Sequence, residues 1–196
     1  MGRRPGFTDE QVFCWLSERL AESPTVTVQE VSKGTGVSVG SLYHRYNSME
    51  ELLAEAWLWA FRAFGESVRT KLSFEGLRGA VHASTAVLEF ANTHRAQAIL
   101  VFAVPERYLV RGTLVGDIAQ KVADAHSELD QAIAHYAENS GIDVVTVELG
   151  VLSVPIAVAS KYLPDREIPD AAMLYAKKAC RMILQAPISA SSVDEP

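Results

Sequence analysis

The sequence predicts an all-α fold, and three observations carry that expectation. Ser/Thr-x-x-Glu/Gln pairs stand at Thr8 with Gln11, Thr27 with Glu30 and Ser48 with Glu51. Each can satisfy the free N–H groups of a helix start reciprocally. Apolar residues then recur at steps of three and four along most of the chain. Only residues 143–162 alternate as a strand does, and no partner strand is evident for them.

The first helix opens at Thr8. Phe7 can staple onto Val12, and Asp9 and Glu10 complement the helix dipole. Val12, Phe13, Leu16 and Leu20 mark its inward face, and Ser23-Pro24 ends it. A short second helix opens at Thr27, with Val28 and Val31 inward and Gln29, Ser32 and Lys33 outward. Gly36 stands where the chain must reverse and takes φ > 0 without steric cost; Val37 suits a buried turn position. Ser38 caps a third segment with Leu42 inward and Val39, Gly40, Ser41, His44 and Arg45 outward. Ser48 opens a long helix to about Lys71, whose middle, AWLWAFRAF, is apolar all round and therefore belongs between two layers.

Leu77, Val81, Ser84, Leu88 and Ala91 define an amphipathic helix, and residues 95–103 a short apolar one that Pro105 stops. Leu114 or Val115, Ile118, Val122, Ala125, Leu129, Ala132 and Tyr136 mark a long helix ending at Ser140-Gly141. In residues 143–162, Val145, Val147, Leu149 and Val151 alternate with Thr146, Glu148 and Gly150, and Pro155 would break an interior helix hydrogen bond. Residues 170–185 form a last helix with Met173, Ala176, Cys180 and Ile183 in line, followed by a polar tail.

Residues 27–46 thus describe two short helices, a tight turn and a donor-rich second helix, the pattern of a helix-turn-helix whose second helix enters the DNA major groove. Small residues let the backbone approach the groove, while hydroxyls, an imidazole and a guanidinium donate to phosphates and base edges. The segment GVSVGSLYHRYNSMEELL resembles the recognition-helix region of TetR-family transcriptional regulators. Gly36, Val37, Ser38, Gly40, Ser41, Leu42 and Tyr43 match that pattern, as do Ser48 and Leu52. Tyr46 stands where Phe is usual, and Met49 where a phosphate-contacting Lys is usual. The resemblance covers roughly the first third of the chain.

The resemblance implies a three-helix helix-turn-helix head joined by a long helix to a C-terminal helical body for ligand binding and dimerisation. The division expected is a head at residues 6–66, a body at 67–187 and a loose tail at 188–196. It also implies that residues 143–162 are helical, kinked near Pro155. The function implied is a ligand-responsive repressor, a homodimer on a palindromic double-stranded operator, in the cytoplasm. Gln29 and Ser41 would approach base edges. Thr27, Ser38, Tyr43, His44 and Arg45 would mainly hold phosphates, with Gly40 allowing close approach and Val39 beside it on the DNA-binding face. Dimerisation would use the last two long helices, where Gly150, Ala157, Ala159, Ala176 and Ala179 permit close packing. A largely apolar effector of unknown identity would lie among Phe61, Phe90, Phe102, Tyr108 and His126. The alternative is an all-α small-molecule binding or interaction protein with a weakened DNA-binding head.

Composition agrees with these outlines. With 196 residues and 48% hydrophobic content, the chain can bury one substantial core and a small satellite domain. No uninterrupted apolar run reaches the roughly 18–20 residues of a membrane span, and no apolar run follows Arg3 and Arg4 as in a signal peptide. Two distant cysteines, Cys14 and Cys180, fit a reducing cytoplasm. Net charge is −6, yet residues 1–49 carry five Lys/Arg against five Asp/Glu, so the acidity belongs to the body. A neutral head predicts modest, salt-sensitive non-specific DNA affinity.

Other chemistry finds little support in the residues. Gly36-Val37-Ser38-Val39-Gly40 matches G-x-S-x-G, but a capped helix and not a strand precedes Ser38. The five histidines show no H-E-x-x-H or E-x-x-H spacing, so neither a metal nor a cofactor is expected. His82, Thr85, Glu89 and Asn92 share a helical stripe, read as a solvated face or as the polar wall of a cavity. No catalytic constellation suggests an enzyme.

Overall fold

The computed structural model describes residues 7–112 and 114–186; Arg3, Arg4 and the tail at 188–196 lie outside them. Helix α1, Asp9–Glu22, starts with the full capping box, Gln11 N donating to Thr8 Oγ1 at 3.3 Å and Thr8 N to Gln11 Oε1 at 3.2 Å. Helix α2, Val28–Thr35, starts with the Thr27–Glu30 box and ends at Gly36, whose φ of 73° is the left-handed cap expected of it. Helix α3, Val39–Tyr46, is capped by Ser38. Val37, Leu42, Val28 and Val31 are all buried, so the turn is held from beneath as well as by its caps.

Ser48 caps α4, Met49–Leu72, but only half of the expected third box forms. The Glu51 carboxylate accepts from the Asn47 side-chain amide at 2.8 Å. Asn47 turns the chain at φ 59° and so competes for the group that would have reached back to Ser48. Along α4, Leu52, Leu53, Ala56, Trp57, Leu58 and Phe64 are buried. The helix is unbroken through residues 66 and 67 and packs against α3 at its start and against the body further on.

In the body, α5 spans Gly76–Thr93 and α6 Arg95–Ala98, which widens into a single π turn at Ile99–Ala103 before Pro105. Helix α7, Asp117–Ser140, begins later than the periodicity of Leu114 and Val115 suggests. Gly116 (φ 67°, ψ −144°) takes a conformation outside the helical region, and Val115 is left 79% exposed. The ambiguous stretch is helical: α8, Val144–Glu148, passes through a π turn at Leu149–Ser153 into α9, Val154–Tyr162. Pro155 lies inside this continuous helix directly after the π turn, so the carbonyls a turn before it lose one backbone donor. Helix α10 is Asp170–Gln185. Among the described residues no strand is present.

Of the small residues expected to permit close packing between copies, Ala157 is exposed and Ala179 half-buried. Gly150, Ala159 and Ala176 are buried within the chain, and a Cβ on Gly150 would meet Leu184 at 3.4 Å and Cys180 at 3.6 Å. Their small size therefore serves α8–α10 packing in one chain. Larger residues also face outward on these helices: Val145, Leu149, Leu174, Tyr175 and Met182 are 46–73% exposed. The helical stretch Val144–Tyr162 is also long and apolar enough, by length and composition alone, to cross a membrane. Glu148 and Lys161, with several Ser and Thr, interrupt it and hide it from a count of unbroken apolar residues.

Candidate nucleic-acid interface

Helix α3 is held in place by residues that do not face outward. Leu42 and Tyr46 are buried beneath it. Above them Gly40, Ser41, Tyr43, His44 and Arg45 are exposed and Val39 is half-buried. A Cβ on Gly40 would meet nothing within 4 Å, so packing inside the chain does not require glycine there and its bareness is available to an outside surface. Ser38 Oγ accepts from Ser41 N at 3.1 Å and pairs with Ser41 Oγ at 2.8 Å. The G-x-S-x-G match is accounted for by this helix cap. On α2, Gln29 is exposed, and the Thr27 hydroxyl donates to Glu30 at 2.8 Å.

The C-terminal end of α3 is clasped to α1. Arg45 donates from Nη2 to Asp9 Oδ2 at 2.5 Å and from Nε to Oδ1 at 3.1 Å, and the Tyr46 hydroxyl donates to the same Oδ1 at 2.6 Å. Burial alone would raise the Asp9 pKa, but the bonds from Arg45 and Tyr46 and the charge of Arg45 outweigh it and hold the carboxyl low. Burial, then the bond to Asp9, pushes the Tyr46 phenol well up. A Phe at position 46 could not complete this clasp. Sequence reasoning assigned Asp9 to the helix dipole and missed its second role, because 36 residues separate it from Arg45. It also passed over Gly34, where a Cβ would fall 2.1 Å from the Trp15 indole; the glycine lets α1 lie close on α2.

Arg19 reinforces the base of α2 by donating to Glu30 at 2.9 Å. That bond, with those from the Thr27 N–H and hydroxyl, lowers the Glu30 pKa to about 2. The folded-state value lies below the ordinary 4.5, so the contribution is present above about pH 4.5 and is lost as pH falls towards 2. Glu30→Gln is expected to flatten the pH dependence of unfolding in that window. An acid-unfolding curve parallel to wild type would contradict this.

The five body residues expected around an effector fall largely into one chain of rings. Phe61 stacks on Trp57 at 4.4 Å and meets His126 at 5.0 Å; Phe64 joins Phe61 to Phe90 and Phe102 at 6.0, 5.7 and 5.0 Å. Tyr108 stands apart in a short turn, under Arg107. The polar stripe of α5 does not act as one wall. His82 rests edge-on against Phe74, Thr85 bonds its own helix, Glu89 is exposed, and Asn92 exchanges two hydrogen bonds with the Ile168 backbone.

A capped helix-turn-helix mounted on a helical body is an arrangement suited to holding a helix against DNA. Residues 24–56 match the family model described as bacterial regulatory proteins, tetR family. Among solved structures, the TetR-family regulator PfmR of Thermus thermophilus is similar at TM-score 0.70 and 18% identity, covering 92% of this chain and 97% of that one. The regulator FadR of Bacillus subtilis, solved with stearoyl-CoA, is similar at 0.64 and 13% identity, covering 91% and 98%. The FadR of Bacillus halodurans is similar at 0.63 and 14%, covering 92% and 100%. No curated protein matches the sequence. Residues 24–56 are thus similar to the tetR-family DNA-binding region, and the chain shares the fold of these regulators over about nine-tenths of its length.

Proposed function

We propose that this chain is a ligand-responsive repressor that binds a palindromic operator as a homodimer. The observation that carries the reading is the face of α3, where Gly40 is open to close approach and Ser41, Tyr43 and His44 stand exposed beside it. In this reading residues 6–66 form the head, and residues 67–187 the body that binds ligand and dimerises. Gln29 and Ser41 meet base edges. Thr27, Ser38, Tyr43 and His44 hold phosphates while Val39 lies along the groove wall. Arg45, held by Asp9 through Nε and Nη2, offers Nη1 to a phosphate. A second copy covers the outward apolar residues of α8–α10. Such a dimer reads half-sites about 34–36 Å apart, or a multiple of that, and a ligand favouring another head separation lowers operator affinity.

The effector would be largely apolar, entering among Phe61, Phe90, Phe102 and His126 with Tyr108 at the rim. That FadR, of the same fold, holds stearoyl-CoA supports an effector with a long apolar part. The site of action is the cytoplasm.

Selection from a random duplex pool is expected to return a palindrome. Against that sequence Tyr43→Ala, at a 45% exposed position, should lose about tenfold in affinity with its fold intact. Unchanged affinity in a gel shift would remove the assignment of α3. No shift by wild type at low salt would favour the alternative, a binding protein with a weakened head. For the dimer, Leu174→Glu with Met182→Glu should sediment as a monomer in detergent-free buffer where wild type sediments as a dimer. A monomeric wild type would overturn this part.

A further inference from the structure

The open groove between α5 and α10 has a volume of about 450 Å³ and is lined by four cationic or cation-capable side chains: Arg78 and His82 from α5, Lys177 and Arg181 from α10. Each pair is spaced four residues apart, so both members lie on one helix face a turn apart. Val81, 2% exposed, forms the floor, and Gln185 adds an amide. No carboxylate lines the groove, and none of the four pairs with a carboxylate among the described residues. The chain as a whole carries a net charge of −6, so this cluster runs against its average. Like charges gathered in this way repel, and a bound anion would relieve that repulsion.

We propose that this groove is an anion site for a diphosphate group, either free pyrophosphate or the diphosphate of a nucleotide. Two guanidinium forks and an ammonium match phosphoryl oxygens, which accept several charge-assisted hydrogen bonds at once. The volume lies in the range of small-molecule sites and exceeds what a lone phosphate needs. The DNA held by α3 is not the source of the anion. Helix α4 is 24 residues long, about 36 Å, and α5 begins beyond its far end, so the groove lies a helix length from α3. A bound diphosphate would bridge α5, which packs on α4, to α10.

The test uses the full chain and titrates inorganic pyrophosphate, then ADP, against sodium chloride at matched ionic strength, with calorimetry and thermal unfolding as readouts. Pyrophosphate should bind wild type and raise its Tm, and Arg78→Ser with Arg181→Ser should weaken binding roughly tenfold or more. Both positions are exposed, so the fold should survive; Arg78→Lys with Arg181→Lys should restore much of the binding by keeping the charge. ADP binding tighter than pyrophosphate identifies a nucleotide source, and equal affinity a free one. Equal stabilisation of wild type and the double Ser variant, or none beyond chloride, overturns the proposal. So does loss of low-salt duplex binding in that variant, which would make the groove a nucleic-acid surface.

Discussion

Trp57→Ala is expected to lower the unfolding free energy by about 3–5 kcal/mol, the range for a large aromatic truncated in a close-packed core. Trp57 is 1% exposed and among the largest fully buried side chains of the molecule. It stacks on Phe61 at 4.4 Å, one turn along α4, and meets His126 of α7 at 4.8 Å. Removing it opens a cavity at the joint between α4 and α7, and the ring chain running on through Phe64 to Phe90 and Phe102 loses its first member. Trp57→Phe keeps part of the stack and should cost well under half as much. Urea unfolding at fixed protein concentration measures both, and a loss below about 1 kcal/mol for the alanine variant would show that the site collapses without penalty. Since domains are stable by only about 5–15 kcal/mol, the alanine variant should be near its limit at growth temperature.

Gly79→Val is expected to destabilise by about 3 kcal/mol, the upper part of the range for overpacking. A Cβ at position 79 would lie 2.0 Å from the Phe74 carbonyl oxygen and 3.1 Å from Tyr136 Cε2. The nearer atom is backbone of the connection before α5, so no rotamer change relieves the contact and the first turns of α5 must shift against that connection and Tyr136. That movement would break a second set of bonds. The Tyr136 hydroxyl donates to the Gly76 carbonyl at 2.5 Å and accepts from the Ala80 N–H at 3.2 Å. Tyr136→Phe removes these bonds without a clash and should cost about 1–2 kcal/mol. If chemical unfolding places Gly79→Val above Tyr136→Phe in stability, the clash is not what glycine avoids there.

Helix starts were legible because their causes are local. Thr8, Thr27 and Ser38 act on N–H groups three residues away, and Gly36 and Gly141 adopt the left-handed conformation at the ends of α2 and α7. The same locality explains where the reading stopped short. Periodicity ran α7 back to Leu114 because an apolar step counts equally inside or outside a helix, whereas Gly116 stops the helix through its backbone angles. The small residues of α8–α10 announced close packing, but a sequence does not say whether the close neighbour is in the same chain. For Gly150 it is, with Leu184 and Cys180 against it. The exposed face of α3 was readable residue by residue, while its clasp to Asp9 was not.

The sequence by itself determined the helical class, most helix starts, the turn at Gly36 and the donor-rich face of α3. These follow from hydrogen-bond requirements and side-chain periods confined to a few neighbouring residues. Only the tertiary structure decided that Arg45 and Tyr46 share Asp9, that Gly34 and Gly79 admit Trp15 and Tyr136, and that Arg78, His82, Lys177 and Arg181 converge on one groove. Those arrangements join residues tens of positions apart. Their energies arise only once packing has brought the helices together, so no local pattern along the chain carries them.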